Sequence, residues 1–298
     1  MIGCSAGPPD PDYDADSVPG GRYLGREKYE SEDVSQWLEW EVDFLKYDWR
    51  PTDPISCQRM GRLLEAADRE IVFSICTNAR LQHAKVYKRW AHMWRGIPDT
   101  ADRWQGVQKN AFVSEDWFGE DWRPHIGPGG WHDLDMMALG PQFETNTSTR
   151  PNRLTRDEQI THMTAWALYP SPLILSCNLA ELSDFELRLF ANEEVIAVNQ
   201  DPLGKPAVRI HERREQCAGN ENPRYNSRIW VRPLADGSFA VAFFNLAETA
   251  DELSLDLETL GVSGAVAVRN LWERRDCARA RKVVPPHGAQ LLKVAPRG

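Results

Sequence analysis

From Ile2 to about residue 191, short apolar runs alternate with segments of helical period, and beyond about residue 206 the helical period stops. Apolar runs at 2–7 (IGCSAG), 42–49 (VDFLKYDW), 70–76 (EIVFSIC) and 172–177 (PLILSC) read as strands, with a short strand inside 129–140. Between and after them, 31–41 reads as a helix capped by Ser31, and helices are expected over 54–68, 83–94, 155–169 and about 182–191. Thr155 and Glu158 have the spacing of a capping box. Alternating βα units bury both faces of a parallel sheet, so a barrel or a doubly wound sheet is expected.

The C-terminal third has a different rhythm. RIWVRPL (228–234), Asp236-Gly237 and SFAVAFFNL (238–246) form a hairpin signal, followed by short runs at 252–260, 265–272 and 289–295. Such runs with a primed-turn dipeptide predict an antiparallel β-domain. NQDPLGKP (199–206) is the expected junction, giving a first domain over 1–205 and a second over 206–298. The stretch 8–22 is acidic, rich in Pro and Gly, and expected to be irregular.

Composition narrows the function classes. The 298 residues carry a net charge of −9 and no basic run, so nucleic acid is not an expected partner. No apolar stretch approaches the roughly 18 residues of a membrane span. Twelve Trp suit a core and equally suit the apolar faces of sugars. The six scattered Cys lack zinc-ligand spacing and are expected as free thiols, which favours a reducing compartment. No signal peptide precedes IGCSAG, so the chain as written is expected in the cytoplasm, or outside it if an N-terminal segment is missing.

Three stretches carry chemistry. In FLKYDW, Lys46 and Asp48 lie two apart and share a face at the C-terminal end of a strand, where α/β folds place their active sites. An ammonium beside a carboxylate keeps it ionised, as a glycosidase nucleophile requires, and a structural ion pair is the alternative. In WRGIPDTADRW (94–104), Arg95, Asp99 and Asp102 crowd between two Trp, as a helix end and cap or as the setting of a general acid. In GPGGWHDLDMM (127–137), the glycines permit a tight turn that brings backbone near a ligand, and Asp133 and Asp135 share a face. His132 lacks a third partner at metal-ligand spacing, so no metal is expected.

Taken in this order with WALYPSPLILSCNL (166–179) and EVIAVNQDPLGK (194–205), these segments resemble glycoside hydrolase family 27, the α-galactosidase and α-N-acetylgalactosaminidase family. The resemblance covers about residues 20 to 295. It implies a (β/α)8 barrel followed by a C-terminal β-sandwich, and a retaining exo-glycosidase acting on terminal α-galactosides without a cofactor. Asp48 corresponds to the nucleophile and Asp99 to the acid/base, which retaining enzymes hold about 5–5.5 Å apart. Lys46 and Arg95 correspond to residues that bind sugar hydroxyls, and Trp131, Asp135 and Met136 to the pocket lining. After its fifth strand the family carries a Cys-Glu-Trp-like stretch that reads the sugar's 2-position. Here it is CTNAR, and Thr77 in that stretch leaves room for a 2-acetamido group or another pyranose such as β-L-arabinopyranose.

Family members begin with two further βα units that supply a Trp and an Asp-Asp pair. The chain is therefore expected to lack those units by truncation, to receive them from a separate polypeptide, or to close by homo-oligomerisation. An inactive or sugar-binding remnant, or half of a split enzyme, is the alternative function. A carbohydrate is the expected partner in each case.

Overall fold

The computed structural model describes residues 2–5, 29–48, 54–76, 79–113, 120–215, 224–262 and 264–297. The irregular stretch expected at 8–22 and the candidate Thr77 lie outside the described residues. The chain divides into two compact units, Met1–Pro98 with Glu120–Asp135, and Asp99–Gly119 with Met136–Gly298.

In the first unit the order is β1 (Ile2–Ser5), α1 (Glu30–Glu39), β2 (Phe44–Asp48), α2 (Pro54–Glu65), β3 (Val72–Ile75), α3 (Ala84–Trp90), β4 (Met93–Trp94) and β5 (Trp131–His132). The strands pair in sequence order, all parallel, as one five-stranded sheet. Strand β2 alternates as its sequence requires: Leu45 and Tyr47 are buried, while Phe44, Lys46 and Asp48 are half-buried. Tyr47 meets the Phe73 ring edge-on at 5.6 Å and donates its hydroxyl to Glu30 of α1, which also pairs with Arg59 of α2. Helices therefore cover the Leu45/Tyr47 face, and Lys46 and Asp48 occupy the other.

The second unit contains α4 (Trp104–Val107), the short strands β6 (Gln142–Phe143) and β7 (Thr149–Arg150), α5 (Arg156–Leu168), α6 (Asp184–Phe190) and α7 (Glu193–Asn199). It continues through β8 (Val208–Glu215), β9 (Arg224–Pro233), β10 (Phe239–Asn245), β11 (Asp251–Ser254), β12 (Val266–Asn270), β13 (Arg275–Cys277), β14 (Arg281–Val284) and β15 (Ala289–Pro296). Six of these strands form an antiparallel sheet in the order β13-β12-β15-β10-β9-β8, and β11 pairs with β14. Val231, Val241, Phe243, Leu253, Val284 and Leu292 fill the core between the two sheets. The hairpin turn falls at Asp236-Gly237, with Gly237 at φ 80°. The Thr155–Glu158 capping box closes at the start of α5 as expected.

Several local expectations are corrected. Ser31 is not the cap of α1: the helix starts at Glu30, and the Ser31 hydroxyl donates to the Glu32 carboxylate at 2.7 Å. The segment 83–94 is not one helix. Helix α3 ends at Trp90, Ala91 turns to extended backbone, and Met93–Trp94 joins the parallel sheet as β4. PLILSC forms no regular strand; its only sheet contact among the described residues is a parallel bridge between Leu175 and Met137. The run 252–260 is a strand only to Ser254, because the Asp256 carboxylate accepts the Glu258 N–H and caps a 3-10 turn over Leu257–Leu260. No described helix is long and apolar enough to cross a membrane. Cys57, Cys76, Cys177 and Cys277 are free thiols, as expected for these four.

Candidate active site

The parallel sheet gathers polar side chains at its C-terminal edge. Asp48 closes β2, and Cys76, Arg95 and Asp133 each follow the last residue of β3, β4 and β5. Lateral backbone bonds hold these positions level: Cys76 N–H donates to Tyr47 O at 3.0 Å, Arg95 N–H to Ile75 O at 3.0 Å, and Asp133 N–H to Trp94 O at 2.8 Å. The register pairs Lys46 with Ser74, Ser74 with Met93, and Met93 with Trp131. Counting two residues along each strand keeps Lys46, Asp48, Ser74, Cys76, Met93, Arg95, Trp131 and Asp133 on one face, away from the helices.

Lys46 Nζ lies 3.4 Å from Asp48 Oδ2, so the shared face expected from their spacing is realised as an ion pair. The Arg95 guanidinium donates to the Asp135 carboxylate, with both side chains almost wholly buried. Asp135 leaves the strand conformation at φ 73° and donates its N–H to Asp133 Oδ1 at 2.8 Å. Burial, and then the neighbouring Asp135 charge, push the Asp133 carboxyl up to about 6 despite that bond, Arg95 and Lys46. Cys76 is 3% exposed. Its thiol is pushed up to about 12 by burial first, with the Asp48 charge and a hydrogen bond to Asp48 acting the same way against Arg95 and Lys46. The cluster thus holds two cations, three carboxyls and one protonated thiol.

Trp131 is half-buried on the face of Met93 and Arg95. His132 points to the opposite face, fully buried and stacked at 5.4 Å on Trp122, which stacks in turn on Trp94 at 6.1 Å. Burial lowers its imidazole to about 3, so it stays neutral. The Gly127–Gly130 turn precedes β5 and therefore sits at the N-terminal end of the strand, not beside the charged cluster. Its tight backbone serves packing: a Cβ on Gly130 would lie 2.8 Å from the Trp94 ring.

In the second unit, Asp102 is bound by the Arg150 fork, Nη1 to Oδ2 at 2.5 Å and Nη2 to Oδ1 at 2.9 Å, and accepts the Arg153 N–H at 3.1 Å. Burial would raise its carboxyl, but these bonds outweigh that and hold it below the usual range. Asp102 is thereby a structural anchor. Asp99 is exposed, four residues beyond Arg95 on the loop after β4, and Met136 is 39% exposed. Among the described residues no group of three His, Cys, Asp or Glu side chains is arranged to hold a metal ion. Reading the sequence alone missed Cys76, and took Asp133 only as the partner of Asp135 on one face. Cys76 directly follows the apolar run EIVFSI, which was the available signal, whereas Asp133 follows only the two-residue strand Trp131–His132.

A parallel βα sheet with its charge at the strand C-termini, in one chain with an antiparallel sandwich, defines a barrel-type α/β protein with an appended β-domain. The family model described as alpha galactosidase A matches residues 13–201, and that of the alpha galactosidase C-terminal beta sandwich domain matches 225–294. The chain belongs to the alpha galactosidase A family. Its relatives include an alpha-galactosidase of Oryza sativa subsp. japonica, 27% identical over 90% of this chain and 60% of the relative. A probable alpha-galactosidase of Dictyostelium discoideum is 27% identical over 92% of this chain and 68% of the relative. A β-L-arabinopyranosidase of glycoside hydrolase family 27 from Geobacillus stearothermophilus superposes with a TM-score of 0.79 at 27% identity, covering 96% of this chain and 68% of that one. A single-substitution variant of that enzyme in complex with arabinose gives 0.77 at 28% identity, over 91% and 62%. The fold is thus the (β/α)8 barrel type followed by an antiparallel β-sandwich, and the chain spans 60% of the length of the rice relative.

Proposed function

We propose that the protein is a retaining exo-glycosidase of the α-galactosidase type that works through Asp48 and Asp99. The observation that carries this reading is the Lys46–Asp48 pair at the C-terminal edge of the parallel sheet, level with Arg95. That edge is where barrel enzymes keep their chemistry. Lys46 at 3.4 Å favours the ionised Asp48 that attack requires.

In the first step an Asp48 oxygen bonds to the anomeric carbon while the glycosidic C–O bond breaks. Asp99, assigned by its place in WRGIPDTADRW, gives its proton to the departing oxygen. In the second step Asp99 takes a proton from water. The water oxygen bonds to the anomeric carbon, and Asp48 leaves as a carboxylate. Lys46 and Arg95 donate to sugar hydroxyls, and Trp131, Asp135 and Met136 line the sugar site together with Thr77. Asp48→Asn is expected to abolish release of nitrophenol from an aryl α-galactoside while leaving the unfolding midpoint near that of the parent. Normal turnover by the folded variant would overturn the assignment.

A second sugar is favoured by one particular. The Geobacillus structural neighbour is a β-L-arabinopyranosidase, and the CTNAR stretch carries small residues where the family resemblance places its 2-position reader. A β-L-arabinopyranoside presents the ring hydroxyls of an α-galactoside without the C6 hydroxymethyl group. Comparing kcat/KM for the two nitrophenyl glycosides, with the 2-acetamido analogue beside them, decides which ring is the better substrate.

A further inference from the structure

We propose that Cys76 is a positioning residue whose thiol donates to the Asp48 carboxylate and holds it in its attacking orientation. The inference rests on the assignment of Asp48 as nucleophile.

Strand register puts the two side by side. Tyr47 pairs with Ile75, and the bond from Cys76 N–H to Tyr47 O carries the ladder one residue further, so Cys76 neighbours Asp48 on the same face. The thiol hydrogen-bonds the Asp48 side chain. The ionisable groups converging here are Lys46 and Asp48 from β2, Arg95 beyond β4, and Asp133 and Asp135 beyond β5, with Ser74 one pleat below.

Two cations beside a cysteine ordinarily draw out a thiolate, which would be a reactive nucleophile. Here burial outweighs both cations, the Asp48 charge and hydrogen bond add to it, and Cys76 keeps its proton. A protonated thiol has one hydrogen to give, and a carboxylate is its strongest available acceptor. The bond favours the charged form of Asp48, adding to Lys46, and it fixes the carboxylate laterally where Lys46 contacts Oδ2. A disulfide or a thiolate at this position would supply no such donor.

The test uses the full chain. Removing the donor by Cys76→Ala is expected to move the acid limb of the kcat/KM profile upward by about 0.5–1 pH unit, the size of one weak bond to a charged group. Cys76→Ser, which keeps a donor, is expected to return the limb to the parent position. An unmoved limb in folded Cys76→Ala, or a serine variant that behaves like alanine, would overturn the proposal. A second readout needs no turnover. By reciprocity, Asp48→Asn lowers the affinity of Cys76 for its proton, so iodoacetamide labelling of the Cys76 peptide at pH 9 should accelerate roughly three- to tenfold relative to the buried Cys57 peptide. Unchanged labelling alongside lost turnover overturns the Cys76 proposal alone. Turnover retained by Asp48→Asn instead overturns the nucleophile assignment, and with it any role of Cys76 in the reaction.

Discussion

Asp133→Asn should stabilise the protein at neutral pH and not at acid pH. Asp133 is 9% exposed, and its carboxyl lies at about 6 in the fold against 3.8 as the ordinary value. A carboxyl raised on folding binds its proton more tightly in the native state. Its stabilising contribution is therefore full below pH 3.8 and is lost as pH rises through about 6. The shift is roughly two pH units at 1.36 kcal/mol each, so wild-type stability falls by about 3 kcal/mol from this group between pH 4 and pH 7. Asparagine keeps the oxygen that accepts the Asp135 N–H at 2.8 Å and carries no charge. Urea unfolding of both proteins, followed by Trp fluorescence at pH 4, 5, 6 and 7, isolates the group, since other titrations largely cancel in the difference. The variant's advantage should grow by about 3 kcal/mol from pH 4 to pH 7. A difference that stays flat across this range, with equal m-values, would refute the claim that burial and Asp135 set the Asp133 proton.

Three further substitutions test the packing. Arg95→Met leaves the Asp135 carboxylate buried without its cation and should cost about 3–5 kcal/mol in urea unfolding, with Asp135→Asn added to it restoring most of the loss. Gly130→Ala drives a methyl to 2.8 Å from the Trp94 ring and should cost about 1–3 kcal/mol, read as a lowered Tm. Arg232 is buried and donates to Ala167 O at 2.7 Å and Val198 O at 2.6 Å, so Arg232→Met strands two helix carbonyls and should cost roughly 2–5 kcal/mol by the same unfolding measurement.

What was legible in the sequence was what neighbours along the chain decide. The Thr155–Glu158 box closes within one helical turn, and the Asp236-Gly237 turn closes within one hairpin. Strand β4 was hidden because two residues have no period, and the helical run AKVYKRW leads straight up to them. What makes Met93–Trp94 a strand is its lateral partners, Ser74 and Ile75 on one side and Trp131 and His132 on the other, at separations that local pattern does not reach. PLILSC shows the converse. It is apolar enough for a strand, yet only Leu175 finds a sheet partner among the described residues.

The candidate site divides along the same line. Lys46 and Asp48 were readable together because a strand's two-residue period is intrinsic to it, and the fold delivers the expected contact at 3.4 Å. Cys76 and Asp133 were not, because register between strands, not spacing along one, makes them neighbours of Asp48 and Arg95. A parallel sheet built in sequence order brings the residue after each strand to one edge. In this chain those residues are Cys76, Arg95 and Asp133, beside Asp48 at the end of β2. Apolar residues there would have closed the edge as core. Three that ionise and one buried thiol leave it charged, and burying that charge raises Asp133 to about 6 and keeps the Cys76 proton in place. The edge is costly as structure, and under the proposed function that stability is spent where the sugar would be bound and cleaved.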